Sequence, residues 1–332
     1  MKTLTFLIYS SLFSAFTLAD NLAVVPTVFR PSVLSIVDPD QPFEVLAEDI
    51  GWAEGPVWSD ELNALLFSDI ERNTILQWNE KKGLTEYLSP SGNSLALGTP
   101  KWGGANGLLI DKDGSLVLAQ QGGRTLAKMV SDLDSPTPVF QVIASTYLGR
   151  RLNSPNDLVM DREGTIYFTD PPYGLEGFDK SPLIELPFSG IFALNDEKTL
   201  TVIDDSLRKP NGILLTKDNR FLLVSDSEPS VHRIWRYELN REGGVKEKRL
   251  FFDAYANRIG DEGSADGLKE HSSGLLFVTL PGGMAILSGK GELMATFPIG
   301  FTCNLAFDSR YHYIYITQPH RLLRLRLRHS ER

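Results

Sequence analysis

Six residues with oxygen-bearing side chains open six similar stretches of the sequence. They are Glu54, Asn106, Asn156, Asn211, Asp266 and Asn304. Two carboxylates and four carboxamides, with no histidine or cysteine among them, form a donor set suited to a hard divalent cation. Ca²⁺ accepts neutral amide oxygens and irregular geometry more readily than Mg²⁺ does, so Ca²⁺ is the favoured ion, with Mg²⁺, Mn²⁺ or Zn²⁺ as alternatives.

The stretches that these residues open share one pattern. Residues 54–69, 106–120, 156–170, 211–226, 266–280 and 304–318 each contain a short apolar strand, a polar or glycine-containing turn and a second apolar strand. Most of the starting positions lie 50 to 55 residues apart, which is about the length of a four-stranded propeller blade with its loops. The repeat predicts an all-β fold, namely a six-bladed β-propeller with four-stranded blades and a central metal site.

In such a propeller the innermost strands converge on the axis and would bring the six polar residues together. Burying a polar group without a partner costs free energy, so six such residues in one register favour a shared ligand. Taken singly, each Asn or Asp also suits the turn before a strand, which is the alternative interpretation. The last stretch is short, and we expect a strand near residues 43–49 to complete its blade and close the ring.

Residues 1–19 have the features of a secretory signal peptide. Lys2 precedes an apolar stretch of suitable length, and small residues at Thr17 and Ala19 come before Asp20. An uncleaved membrane anchor is the alternative, although the stretch is short for a span. We therefore expect a signal peptide at 1–19, a single propeller domain at 20–332, a secreted or periplasmic location, and no membrane association after cleavage.

Composition limits the partners of the protein. The formal net charge of -9, without a basic stripe, argues against a nucleic acid. The Arg-rich C-terminal stretch alternates leucine and arginine with the period of a strand that has one solvent-exposed face.

Cys303 is the only cysteine, so no disulfide can form within the chain. We expect a small-molecule partner and a monomer or small homo-oligomer.

Five motifs carry a resemblance to a known family. They are EGPVW (54–58), NSPNDL (153–158), FTDPPYGL (168–175), PNGILL (210–215) and ADGL (265–268). Together they resemble the gluconolactonase/regucalcin (senescence marker protein) family, and FTDPPYGL is closest to its bacterial gluconolactonase branch. The resemblance implies a six-bladed propeller with a central divalent cation.

Site residues are implied by the same resemblance, position by position. The implied metal ligands are Glu54, Asn156, Asn211 and Asp266. Asn106 and Asn304 would line the substrate pocket, and Asp157 would face the substrate. The long loop at 171–188, with Tyr173 as a substrate-binding candidate, and residues 101–105 are expected as walls of the pocket.

The implied activity is hydrolysis of a sugar lactone, such as glucono-1,5-lactone, to the aldonic acid. The cation would polarise the lactone carbonyl, and Asp266 would act as general base toward water or, alternatively, as a nucleophile. The sequence has no Gly-x-Ser-x-Gly motif and no credible Ser-His-Asp triad. Asp170 and Asp226, which end inner strands, are expected to fix turns.

Two further functions stay open. Related propellers with this ligand set hydrolyse organophosphorus esters, and a cation beside a carboxylate would serve a phosphorus centre as well as an acyl centre. The protein could also bind a sugar acid or lactone without turnover. A screen of both substrate types for product would separate these alternatives.

Overall fold

The structure is a computed structural model that describes residues 21–92, 102–240 and 243–328. The predicted signal peptide at 1–19 lies outside the described residues. Helix is confined, within those ranges, to two short 3-10 turns, Pro31–Ser35 and Phe178–Lys180. In the same ranges no helix has the length and hydrophobicity needed to cross a lipid bilayer.

The remaining regular structure consists of short β-strands. In the first half of the chain these are β1 (Asn21–Leu22), β2 (Thr27–Val28), β3 (Phe43–Ala47), β4 (Ala53–Ser59), β5 (Ala64–Asp69), β6 (Thr74–Asn79), β7 (Gly83–Leu88), β8 (Leu108–Ile110), β9 (Leu116–Gln120), β10 (Thr125–Met129), β11 (Phe140–Ala144), β12 (Thr146–Tyr147), β13 (Arg150–Arg151) and β14 (Leu158–Met160). In the second half they are β15 (Ile166–Asp170), β16 (Gly190–Leu194), β17 (Leu200–Asp204), β18 (Pro210–Leu215), β19 (Phe221–Asp226), β20 (Arg233–Leu239), β21 (Val245–Asp253), β22 (Leu268–Glu270), β23 (Leu276–Leu280), β24 (Gly283–Leu287), β25 (Leu293–Phe297), β26 (Asn304–Phe307), β27 (Tyr313–Gln318) and β28 (Arg321–Arg326).

Six antiparallel sheets form the blades, and the consecutive strands of each blade run outward from the innermost strand. Blades 1 to 5 are built from β4–β7, β8–β11, β14–β17, β18–β21 and β22–β25, and blade 6 from β26–β28 with β3. The innermost strands β4, β8, β14, β18, β22 and β26 contact one another in this order, and β26 returns to β4. The prediction of an all-β, six-bladed propeller is confirmed.

The N-terminal strands close the ring. Strand β3 pairs with β28, where Val45 lies opposite Leu323, as expected for residues 43–49. Two blades are wider than predicted, because β1 adds a fifth strand to blade 6 and β2 adds a fifth strand to blade 5. Each added strand has only two residues, which is too short for an alternation of apolar and polar residues to be recognised.

Apolar clusters fill the spaces between neighbouring blades. One cluster contains Phe277 of blade 5, Ile314 of blade 6 and Phe43 of the closing strand. Another joins Val117 of blade 2 to Phe168 of blade 3. Each fully buried Val, Leu or Phe side chain contributes roughly 1.5–3 kcal/mol. Because the clusters are shared, each blade is held by both of its neighbours, and the residues at the axis are fixed in position.

Candidate active site

Five of the six predicted axial residues line one pocket at an end of the propeller axis. They are Glu54, Asn106, Asn156, Asn211 and Asp266, and the pocket has a volume of about 540 Å³. This volume is within the range of sites that bind small molecules. All six axial residues are buried, with exposures of 6% or less.

Hydroxyl groups from one blade hold the axial backbone of the next. Ser68 Oγ donates to the Asn106 carbonyl at 2.7 Å, and Thr169 Oγ1 donates to the Asn211 carbonyl at 2.6 Å. Ser227 Oγ donates in the same way to the Ala265 carbonyl at 2.5 Å. Each hydroxyl lies within one residue of the end of the second strand of its blade, so neighbouring blades fix each other's axial backbone.

Glycine follows several axial residues because the blades approach one another closely there. A Cβ atom on Gly55 would lie 2.0 Å from the Asn106 carbonyl oxygen, and one on Gly212 would lie 2.1 Å from the Asp266 carbonyl oxygen. Both distances are far below van der Waals contact, so any side chain would push the blades apart. The Glu-Gly and Asn-Gly pairs of the sequence therefore serve packing at the axis.

Glu54 and Asp266 are the two carboxylates of the pocket, and their surroundings disfavour negative charge. Burial raises the pKa of Glu54 to about 8, with a smaller contribution from the charge of Asp157. Burial also raises the pKa of Asp266 well above its usual range, and the charges of Glu54 and Asp157 add to the effect. A positive ligand would reverse this balance, because an opposite charge nearby favours the ionised form.

Neighbouring side chains orient the amides of two axial asparagines. Asn211 Nδ2 donates to Ser227 Oγ at 3.0 Å, and Asn106 Nδ2 donates to Gln121 Oε1 at 3.2 Å. Asn106 Oδ1 is buried and has no hydrogen-bond partner among the described residues. A buried oxygen without a partner requires an explanation in a folded protein, and a ligand in the pocket supplies one.

The donor chemistry fits a hard divalent cation. Glu54, Asn156, Asn211 and Asp266 can each offer an oxygen to the pocket that they line together, and oxygen-only ligation suits Ca²⁺ or Mg²⁺. The part of the chain that the structure describes holds no group of three or more His, Cys, Asp or Glu residues able to bind a metal. The carboxamides are therefore needed to complete the ligand set. No histidine is among the residues lining this pocket.

Asp157 and Asn304 are not among the residues that line the pocket, although the charge of Asp157 acts on both Glu54 and Asp266. Asn304 Nδ2 donates to Asp157 Oδ2 at 3.4 Å, and the Ile213 N–H of the next blade donates to the same oxygen at 3.3 Å. Lys269 Nζ donates to Asn304 Oδ1 at 3.4 Å. These contacts connect Asp157 and Asn304 to each other and to neighbouring blades, and the expected roles of Asn304 at the pocket wall and of Asp157 toward the substrate stay predictions.

The loop at 171–188 forms one side of the pocket. Tyr173, Phe178 and Asp179 contribute to the lining. Ser154 fixes the base of the loop, because its Oγ donates to the Pro171 carbonyl and accepts the Gly174 N–H. Burial raises the pKa of Tyr173, and the charge of Asp266 adds to the effect, so the phenol stays protonated at neutral pH.

The second expected wall, residues 101–105, contributes Trp102 to the pocket lining, while Lys101 lies outside the described residues.

The carboxylates at two strand ends, Asp170 and Asp226, bond to backbone groups. Asp170 Oδ2 accepts the Asn153 N–H at 2.7 Å, and Asp226 Oδ1 accepts the Lys209 N–H at 3.2 Å. Neither carboxylate lines the pocket, so both fix chain turns as expected.

Sequence reasoning missed three lining residues that share one register. Trp52, Lys209 and Ser264 line the pocket, and each stands two positions before an axial residue. Residues two apart in an extended chain point to the same side. A comparison of the six repeats shifted back by two positions would therefore have included them among its candidates, together with Gly104, Ser154 and Thr302, which are not among the lining residues.

Comparison with known proteins places the chain in a family. The family model described as "SMP-30/Gluconolactonase/LRE-like region" matches residues 52–320. The chain belongs to this family. Within the SMP-30/gluconolactonase family, the gluconolactonase of Zymomonas mobilis is 35% identical to it over 308 residues, which cover 90% of this chain and 85% of the relative.

Two further comparisons extend this relationship. The diisopropyl-fluorophosphatase of Loligo vulgaris is 24% identical over 291 residues, covering 83% of this chain and 88% of the relative. The solved structure of XC5397, a gluconolactonase from Xanthomonas campestris, superposes with a TM-score of 0.78 at 25% identity, covering 94% of this chain and 99% of that one. The SMP-30/gluconolactonase assignment thus extends over nearly the whole chain.

Proposed function

We propose that this chain is a metal-dependent lactonase, which hydrolyses a sugar lactone such as glucono-1,5-lactone to the aldonic acid. The observation that carries the proposal is the convergence of Glu54, Asn156, Asn211 and Asp266 on the pocket that also holds the unpartnered oxygen of Asn106. The similarity to the Zymomonas mobilis gluconolactonase supports the same reaction class.

The proposed ligands of the cation are Glu54, Asn156, Asn211 and Asp266. Ca²⁺ is the proposed ion, because two carboxylates and two neutral amides suit it better than they suit Mg²⁺. When bound, the cation would polarise the lactone carbonyl and stabilise the oxyanion formed on attack by water.

Asp266 is proposed to take the proton from the attacking water. The water oxygen bonds to the carbonyl carbon, the ring C–O bond breaks, and the proton passes to the departing ring oxygen, which becomes a hydroxyl. Burial and the charges of Glu54 and Asp157 oppose ionisation of Asp266, while Asn211 and Lys269 favour it. Since a general base must be ionised to accept a proton, positive charge near Asp266 is a condition of activity at neutral pH.

A second candidate keeps the site and changes the substrate. The similarity to diisopropyl-fluorophosphatase supports hydrolysis of an organophosphorus ester by the same residues. The third candidate, a propeller that binds a sugar acid or lactone without turnover, would show a thermal shift with ligand and no product.

The proposed location is outside the cytoplasm, either secreted or periplasmic. The basic start and apolar stretch of residues 1–19 are typical of a cleaved signal peptide, which would leave a mature domain at 20–332. Mass spectrometry of the exported chain tests whether residues 1–19 are removed, and an exported chain that retains Met1 would contradict the proposed cleavage.

Removal and return of metal test the proposed function. We expect purified protein to release acid from glucono-1,5-lactone above the spontaneous rate, to lose this activity on chelation, and to regain it with one added ion. Ca²⁺, Mg²⁺, Mn²⁺ and Zn²⁺ are compared on the same stripped sample. A folded protein that hydrolyses the lactone with none of these ions would refute the proposal, and diisopropyl fluorophosphate is then the next substrate.

A further inference from the structure

Tyr173 reaches from blade 3 across the candidate active site. It belongs to the loop between β15 and β16 and lines the pocket. Its hydroxyl group hydrogen-bonds to Ser227 of blade 4, and the charge of Asp266, which opens blade 5, acts on it. The side chain of Tyr173 therefore connects blade 3 with the axial carboxylate two blades further on.

The backbone on both sides of Tyr173 is fixed. Ser154 Oγ donates to the Pro171 carbonyl and accepts the Gly174 N–H at 2.9 Å. A Cβ atom on Gly174 would lie 2.9 Å from the Gln121 carbonyl oxygen, so the loop rests directly on blade 2. A reactive group held by such supporting contacts is positioned before the substrate arrives.

The hydrogen bonds of Ser227 make the Tyr173 hydroxyl a donor. Ser227 Oγ donates to the Ala265 carbonyl at 2.5 Å and accepts Asn211 Nδ2 at 3.0 Å. A serine hydroxyl has one proton and two lone pairs, so a lone pair is left for the phenol. The Tyr173 O–H therefore holds its proton beside the amide of a proposed metal ligand.

Hydrolysis of an alkyl lactone needs a proton donor as well as a base. The departing ring oxygen is an alkoxide, which is a strong base, whereas Asp266 is proposed to accept the proton of the attacking water. A tyrosine phenol keeps its proton at neutral pH, because its ordinary pKa is about 10. The nearby ammonium of Lys209 is held in an ion pair with Asp179 at 2.5 Å. Tyr173 is thus the lining residue best placed to donate.

We propose that Tyr173 is the catalytic proton donor to the departing ring oxygen. The water oxygen bonds to the carbonyl carbon and gives a proton to Asp266. The ring C–O bond breaks, its electron pair stays on the ring oxygen, and the phenolic proton moves to that oxygen. The phenolate then recovers the proton that Asp266 took from water. This inference rests on the proposed lactonase function and adds a catalytic residue to it.

Three lactones that differ in their leaving group test the proposal. Glucono-1,5-lactone and δ-valerolactone both release an alkoxide, and only the first carries ring hydroxyls. 3,4-Dihydrocoumarin releases a phenoxide, which is a weaker base and departs without a proton. We expect Tyr173→Phe to lower kcat/KM for both alkyl lactones by about 100-fold or more, and for dihydrocoumarin by less than about fivefold.

Each other outcome of this comparison has a definite meaning. Equal losses on all three lactones would give Tyr173 a structural part only, and a loss on glucono-1,5-lactone alone would give it the binding of a ring hydroxyl. Either result, or no loss at all, would overturn the inference. Wild-type protein that hydrolyses none of the three lactones with any of the added ions would instead refute the proposed function.

The matched control is Tyr167→Phe. Tyr167 lies on β15 of the same blade, is buried, and donates its hydroxyl to Asp161 Oδ2 at 3.4 Å, but it is outside the pocket lining. We expect kcat/KM for all three lactones to stay within about twofold of the wild type.

Calcium binding supplies a readout that is independent of turnover. Tyr173 is not a proposed ligand of the cation, so we expect isothermal titration of Tyr173→Phe with Ca²⁺ to give an affinity within about twofold of the wild type. A weaker affinity would show that the loss of activity comes from a disturbed metal site, and would contradict the assignment of Tyr173 as the proton donor.

Discussion

Asp266 shows how a single residue depends on its surroundings. Its carboxyl group is buried close to Glu54 and Asp157, and its pKa is raised well above the usual range by burial and by those two charges. The amide of Asn211 bonds to it and opposes this rise. Reactivity at this position therefore depends on compensating charge rather than on the carboxylate alone.

Asp266→Asn keeps the size of the side chain and one oxygen but cannot accept a proton. We expect kcat for glucono-1,5-lactone to fall at least about 100-fold, in the range that general-base catalysis supplies. Asp170→Asn is the matched control, because Asp170 is also buried, its pKa is raised by burial to about 7, and it lies outside the pocket lining. Initial rates within tenfold of wild type for Asp266→Asn would remove Asp266 from the mechanism.

Sequence predicts these site residues only where the repeat marks them. Asn156 and Asp266 open their blades in one register, so their convergence follows from the fold. Asp157 stands next to Asn156 but outside the repeated register, and its carboxylate accepts the Ile213 N–H, 56 residues later. A hydrogen bond between two segments so far apart in the chain leaves no local pattern in the sequence.

At the scale of the element, the inner hairpins were predictable and the short additions were not. Alternating apolar residues and Gly-containing turns mark hairpins such as β14–β15, whose register pairs Leu158 with Phe168. The two-residue strands β12 and β13, which pair Thr146 with Arg151, carry no period. Their pairing depends on neighbouring structure instead of on local propensity.

The turn between β22 and β23 contains a buried histidine that the candidate mechanism does not use. The His271 ring packs against Phe307 and Tyr311, with centroids 5.5 Å and 5.0 Å away. Burial lowers the pKa of His271 to about 4, and the positive charge of Lys217 contributes. The folded state therefore favours the neutral ring.

This histidine should make the fold sensitive to acid. Its stabilising effect is present above the unfolded pKa of about 6.5 and is lost as the pH falls toward the folded pKa of about 4. Between pH 7 and pH 4.5 we expect the wild type to lose about 1 to 2 kcal/mol more unfolding free energy than His271→Phe, allowing for screening by nearby water. Urea denaturation at both pH values measures the difference, and parallel losses would show that the pKa of His271 is not lowered in the folded state.

At the scale of the whole molecule, the propeller is closed by pairing between distant parts of the chain. Strand β3 lies between β28 and β1 in blade 6, so the last blade contains strands from both ends of the described chain. Val45 pairs with Leu323 and packs against the cluster shared by blades 5 and 6. Closure therefore replaces the disulfide that a single cysteine cannot provide.

Proline substitution tests whether this closure stabilises the entire ring. Val45→Pro should disrupt the pairing of β3, because proline lacks an N–H and is poorly tolerated inside a sheet. We expect a loss of at least about 2 kcal/mol in unfolding free energy, with all blades unfolding in one transition because each core cluster is shared. Asn21→Pro is the matched control, since Asn21 is exposed on the edge strand β1, where proline is tolerated. Chemical denaturation compares the two, and an equal loss in both variants would show that the β3–β28 pairing has no special part in stability.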